Sequence, residues 1–329
     1  MQTPREVVRA AIEFTKPDRV PVRFDCFGRS DVKSIGWNQI GTGDRTKKIT
    51  FDEWHCGWQR TDVENMGQIT IHPISQWSNL DGYQWPDPDN PALFDGMEKR
   101  FEGADGYYLQ TSIFMLLFER VHGLRGFENT MADLYLEREK IERLADRIVE
   151  FDIQMIKNIS SRFPGRIDGF SFTDDWGTEK ALFINPAMWN AFFKPRYKRI
   201  FDAAREAGWH VWMHSCGMVA DILGDLIDIG CNVVNLQQPR ILGIEEVGKK
   251  YAGKICFESL CDIQHTLPFE DAGAIDAEAK KLLGCWGTDD GGFIFSDYGD
   301  GRAIGVTDDK KQIMYDAFMK YDRWLRASG

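Results

Sequence analysis

Apolar and polar positions run along this chain in two alternating periods. At the start, Thr3 and Pro4 read as a helix cap and a proline at the first helical position, and Val7, Val8, Ala11 and Ile12 follow at helical spacing. The helix is expected to end before the turn Lys16-Pro17-Asp18-Arg19, after which residues 20–26 read as a buried strand closed by Phe27-Gly28-Arg29. Between 33 and 101 the period is lost. Trp, Gly and Pro recur there, Trp85-Pro-Asp-Pro-Asp-Asn-Pro91 is a run of turns, and 68–72 is the clearest short strand. A strand is predicted at 107–111, then helices near 114–122 and 128–135 and a long one over 138–162. From there strand and amphipathic helix alternate, with strands at 169–173, 210–214, 233–236, 254–260 and 292–295.

Five successive strand-helix units with short connections favour a parallel sheet, and the earlier strands bring the count towards the eight that close a barrel. The pattern therefore predicts an α/β fold: a single (β/α)8 TIM-type barrel over residues 1–329, with an elaborated insertion after the first strand, 33–101, near the barrel mouth. Its Trp-rich, turn-rich text suits a lid better than a separate core. A doubly wound open sheet is the competing architecture. The glycine fingerprint of dinucleotide binding is absent, since Gly291-Gly292 precedes a strand instead of opening a helix.

Composition narrows the class without changing the fold. Hydrophobic residues at 43% and charged residues at 28% suit a chain that buries a large core. The net charge of -11 argues against nucleic acid, whose binding needs clustered Lys and Arg. No apolar run approaches the ~18 residues of a membrane span, and residues 1–9 lack a signal peptide's apolar stretch, so a cytoplasmic protein is expected. Seven scattered cysteines do not suggest a disulfide framework. Eleven Trp and 22 Phe fit an aromatic-lined pocket, although large cores and dimer interfaces use the same residues.

In a barrel, polar residues at the carboxyl ends of strands line the active site. That rule selects Asp25 and Arg29, Asp174 and Asp175, His214 and Cys216, Gln237 and Gln238, Glu258 and Cys261, and Asp297. In Trp212-Met-His-Ser-Cys-Gly217 a buried strand runs into His-x-Cys, and residues two apart in extended chain share a side, so imidazole and thiol can converge on one ion. Zinc accepts that pair and needs a third ligand, for which Cys261 is the first choice and Glu258 or Asp297 the alternatives. The bland reading of the same pair is structural packing.

Of the adjacent Asp174 and Asp175, one is expected to face the pocket, as a substrate-binding or proton-transferring carboxylate, while the other caps a turn. Asp25 and Arg29, with Gln237, are candidate substrate contacts. Arg29 can clamp a carboxylate bidentately or simply sit in a surface salt bridge. His72 and His265 have no partner at metal spacing and read as packing or surface residues.

Thr3-Pro-Arg-Glu6, Lys16-Pro-Asp-Arg-Val-Pro-Val22, Asp174-Asp-Trp-Gly177, Lys194-Pro-Arg-Tyr-Lys198, His214-Ser-Cys-Gly217 and Gln264-His-Thr-Leu-Pro268 together resemble the uroporphyrinogen decarboxylase superfamily over nearly the whole chain. The resemblance implies a barrel, often dimeric, with its pocket at the strands' carboxyl ends. One branch decarboxylates a tetrapyrrole without cofactor and carries Arg-Gln-Ala-Gly-Arg after the first strand. Asp25-Cys-Phe-Gly-Arg29 keeps only the final Gly-Arg. The other branch comprises zinc methyltransferases that work with corrinoid proteins, whose motif is His-x-Cys and, much later, a Cys in a Pro-Gly-Cys-Gly-like turn. His214 and Cys216 match its first two ligands, whereas Ser296-Asp-Tyr-Gly-Asp300 holds no cysteine.

The function expected from this resemblance is transfer of a methyl group from a small methylated donor, such as a methyl ether, to cobalamin on a separate corrinoid protein. The chain itself lacks an Asp-x-His-x-x-Gly corrinoid signature. A homodimer is the other expected association. The rival expectations are a cofactor-free decarboxylase of a carboxylated small molecule or tetrapyrrole, and a noncatalytic ligand-binding barrel.

Overall fold

The computed structural model describes residues 1–41, 48–60, 67–299 and 301–324. Parts of the expected insertion (42–47 and 61–66), Asp300 and the last five residues of the expected 1–329 unit lie outside that range.

The strands are β1 (Val22–Phe24), β2 (Arg29–Ser30), β3 (Val32–Ser34), β4 (Ile49–Phe51), β5 (Gly57–Gln59), β6 (Gln68–Ile71), β7 (Tyr108–Ile113), β8 (Gly169–Thr173), β9 (His210–His214), β10 (Val233–Leu236), β11 (Cys256–Ser259) and β12 (Phe293–Ser296). One sheet runs β2-β1-β12-β11-β10-β9-β8-β7-β3. All its pairings are parallel except the β1–β2 hairpin. Helices fill the crossovers after β7, so the architecture is the expected (β/α)8-type barrel.

The ends of this sheet meet between β1 and β3. There the Asp31 amide donates to the Val22 carbonyl at 2.7 Å, and the Asp31 carboxylate accepts from the Val22 amide at 2.8 Å. Arg19 grips the same carboxylate through both terminal nitrogens at 2.7 and 2.6 Å. A side chain thus completes the cylinder where the ladder is interrupted.

The strand expected at 68–72 forms as β6, in a separate antiparallel sheet, β4-β5-β6. One stave of the barrel went unpredicted. The missing stave is β3, three residues long and too short to show a period. The boundary at 33 therefore falls inside the barrel wall, and the separate sheet begins only with β4.

Helix α1 (Pro4–Ile12) starts with the expected cap, a reciprocal pairing of Thr3 and Glu6. Val7, Val8, Ala11 and Ile12 pack on Val32, Tyr108, Trp212, Val233, Cys256 and Ile294, plugging the amino-terminal end of the barrel. Helix α2 (Phe118–Arg125) starts four residues later than predicted, and α3 (Phe127–Leu136) and α4 (Arg138–Arg162) follow.

The aromatic residues mostly build the layer between strands and helices. Phe295 stacks on Phe318 at 4.1 Å, Phe257 on Trp286 at 4.6 Å, and Phe118 on Trp176 at 4.3 Å. Because strand side chains alternate, this aromatic outer face leaves the inward positions free for polar groups such as Ser171, Thr173, His214, Asn235 and Glu258. The described part of 33–101 leans on the same outer layer. Trp54 meets Phe151 at 4.7 Å, and Asp52 receives Arg120 of α2 at 2.8 Å.

Candidate metal centre and cavity

At the carboxyl ends of the barrel strands lies a cavity of about 690 Å³. Its wall includes Phe114, Phe172, Trp212 and Met213, and its polar groups include Arg23, Asp25, His214, Asn235, Gln237, Glu258 and Asp297. None of the described residues of 33–101 lines it, although Trp58 of β5 lies 6.0 Å from Phe114, which does.

The loops after β8 and β9 are laced together by backbone. The Asp174 amide donates to the His214 carbonyl at 3.1 Å, the Met218 amide to the Thr178 carbonyl at 2.8 Å, and the Trp176 amide to the Ser215 hydroxyl at 3.0 Å. Gly217 has φ +84, and a Cβ there would lie 2.1 Å from the Gly177 carbonyl oxygen, so only glycine allows this approach. The Gly217 amide is held in turn by the Gln238 side-chain oxygen at 2.6 Å.

This lacing carries Asp175 to the His-x-Cys pair. Asp175 Oδ1 lies 3.6 Å from His214 Nε2 and accepts from the Cys216 amide at 2.7 Å, and Cys216 Sγ is 3.5 Å from the same imidazole nitrogen. One ligand atom from each residue falls within 4.8 Å of the others, the only such trio found among the described residues. Asn235 Oδ1 accepts from His214 Nδ1 at 2.6 Å, which turns Nε2 toward the other two. Burial, and the neighbouring Asp175 carboxylate after it, push the Cys216 thiol well above its ordinary value. A carboxylate, an imidazole and a thiol form a nitrogen, oxygen and sulfur donor set that fits zinc.

The other selected residues are placed differently. Asp174 is fully buried and faces away from the cavity: its oxygens take the amides of Leu117, Phe118 and Glu119 at 2.9, 2.8 and 2.7 Å, and the Tyr197 hydroxyl. It is the cap of α2, which explains that helix's late start. Cys261 is also fully buried, with its thiol against the Ile275 carbonyl at 3.5 Å, because β11 ends at Ser259 and the chain then turns outward to the helix Ala272–Trp286. It does not join His214 and Cys216. Glu258 faces Arg23 instead, at 3.4 Å, and Asp297 is paired with the buried Lys311 at 3.0 Å. Asp25 and Gln237 line the cavity. Arg29 does not: it is exposed on the β1–β2 hairpin, its guanidinium 4.4 Å from the Tyr315 ring.

Glu119 escaped the sequence reading because it lies on a helix rather than at a strand end. Burial, then the charges of Asp174 and Asp175, lift its carboxyl to about 9, and its Oε2 has no partner among the described residues.

Residues 110–297 match the family model described as uroporphyrinogen decarboxylase (URO-D). Among solved structures, a methyltransferase from Methanosarcina mazei aligns over 98% of this chain and 99% of its own, with a TM-score of 0.70 and 14% identity. Xylanase 10B from Thermotoga maritima covers 97% of this chain and 98% of its own at a TM-score of 0.43 and 10% identity, a likeness too low to bear on function. No curated protein matches the sequence. No helix among the described residues is long and apolar enough to cross a membrane. A match over more than half of the chain, on a barrel whose strand ends hold a cavity and a laced ligand trio, identifies this protein as a member of the uroporphyrinogen decarboxylase family.

Proposed function

We propose that this protein is a cytoplasmic methyltransferase that takes a methyl group from a small methylated donor, such as a methyl ether, and delivers it to cobalamin on a separate corrinoid protein. The observation that carries this reading is the convergence of Asp175, His214 and Cys216 beside the cavity. Zinc held by these three residues would supply Lewis acidity at the donor's oxygen or sulfur. Asn235 keeps His214 in the ligating tautomer, and the Cys216 amide fixes the Asp175 carboxylate. Phe114 and Trp212 would exclude water from one side of the donor, and the methyl carbon would pass to a separate nucleophile while the electron pair of its broken bond stays on the heteroatom.

The Methanosarcina methyltransferase shares the fold over nearly its full length, which supports the branch without fixing donor or acceptor. The same reading treats 1–329 as one unit, with 33–101 an insertion near the mouth. The trio replaces the ligand set expected from the sequence, Asp175 standing in the third position.

Two measurements test the proposal. Metal analysis of protein purified without added metal should give about one zinc per chain, lost in His214→Ala, Cys216→Ser and Asp175→Ala. Mixing the protein with methylated phenols, amines or thiols and a reduced corrinoid protein should shift the corrinoid's visible absorption to that of its methylated form. Carbon dioxide release from a carboxylated compound, without metal and without methyl transfer, would replace this reading with cofactor-free decarboxylation. Ligand-dependent stabilisation with no turnover of either kind would leave a binding barrel.

A further inference from the structure

Opposite the metal trio in strand order, the cavity contains a cation without a full set of partners. Arg23 lies on β1 and its side chain is 27% exposed, facing the cavity. Its one side-chain partner among the described residues is Glu258, reached by a single terminal nitrogen at 3.4 Å. A guanidinium has five N–H donors in a planar fork, so most of this one's donors have no side-chain partner among the described residues. Arg23 is also the only Lys or Arg among the described residues that line the cavity. The guanidinium is a half-paired fork, short of an acceptor with two oxygens.

We propose that the molecule bound in this cavity carries a carboxylate, and that Arg23 takes it. The inference rests on the methyl-transfer reading for treating that molecule as the methyl donor, and it narrows the donor to a small methylated acid. The apolar wall of Phe114 and Trp212 suits an aromatic ring between the carboxylate and the methyl-bearing atom. Glu258 competes for the guanidinium along one edge only. It holds one edge of the guanidinium, 3% exposed itself, and leaves the other edge for the ligand. Arg29, the arginine that the sequence singled out for this task, is stacked on Tyr315 outside the cavity.

The test is calorimetric binding of 4-methoxybenzoate, benzoate and 4-methoxybenzamide to the metal-loaded protein. Wild type is expected to bind both acids about tenfold or more tighter than the amide. Arg23→Met should erase that preference, Arg23→Lys should keep part of it because an ammonium cannot reproduce the fork, and Glu258→Gln should enlarge it by removing a competing carboxylate. Equal affinity for acid and amide in wild type, a preference that survives Arg23→Met, or binding of none of the three compounds overturns the proposal. If Arg23→Met fails to fold, the wild-type comparison and Glu258→Gln still decide. No corrinoid or turnover enters this measurement. An acid preference that depends on Arg23 can therefore stand while methyl transfer fails, and the reverse result is equally visible.

Discussion

His122 shows how one side chain ties stability to pH. It is partly buried, with its ring 5.1 Å from that of Phe118 and 5.6 Å from that of Phe127, and burial, with nearby His72 and Arg120 adding to it, lowers its pKa to about 4. In the unfolded chain it would titrate near ~6.5, so between those values the unfolded state binds the extra proton and stability rises with pH. The fold should therefore lose about 1–3 kcal/mol as pH falls from roughly 6.5 to 4. His122→Leu should flatten that part of a stability profile measured by urea unfolding. At this scale the sequence was partly legible. His214 and Cys216 could be paired because two residues on one strand share a side, which needs no tertiary knowledge. Asp175 was noticed but given another role, since its arrival beside them depends on two loops being laced together. Cys261 and Arg29 misled for the opposite reason: each stands near a strand end in sequence, yet one turns outward after β11 and the other rides an unforeseen hairpin. Arg23 was overlooked as a mid-strand residue, although inward mid-strand positions also reach the cavity.

Among the elements, the strands from β8 onward were readable because each is a short apolar run between turn signals. In the first third, α1, β1 and β7 were readable, but β2, β3 and the start of α2 were not. β2 and β3 together span five residues, and the start of α2 is set by Asp174, 56 residues away from Phe118 in sequence. Two tests belong here. Asp31→Ala removes the carboxylate that joins β1 to β3 and orphans Arg19, which should cost about 3 kcal/mol in chemical denaturation. Gly217→Ala forces a Cβ into the Gly177 carbonyl and a side chain onto a left-handed φ, so the β8 and β9 loops must part. That variant is expected to lose bound zinc while keeping the far-ultraviolet circular dichroism of the wild type. Zinc retained at wild-type stoichiometry would mean that the lacing does not position the ligands.

For the molecule as a whole, the described part of 33–101 shares its anchor points with the barrel's helices, through Asp52 to Arg120 on α2 and Trp54 to Phe151 on α4. A single cooperative unfolding transition is therefore expected, with calorimetric and van't Hoff enthalpies in agreement, and Asp52→Asn should lower its midpoint without splitting it. Two separate transitions would mean that the insertion is a domain of its own. The topology also has a consequence for how the protein is made. β1 finds its parallel neighbour only in β12, through Val22 and Phe295. About 270 residues must leave the ribosome between them, roughly 15–50 s at ~5–20 residues per second. Through that interval the emerging sheet has an open edge, and Arg23 and Glu258 cannot yet meet. Assembly of the wall that holds Arg23 must wait until β12 has emerged, so a chaperone that shields sheet edges during synthesis should raise the yield of folded protein more than one that acts after release.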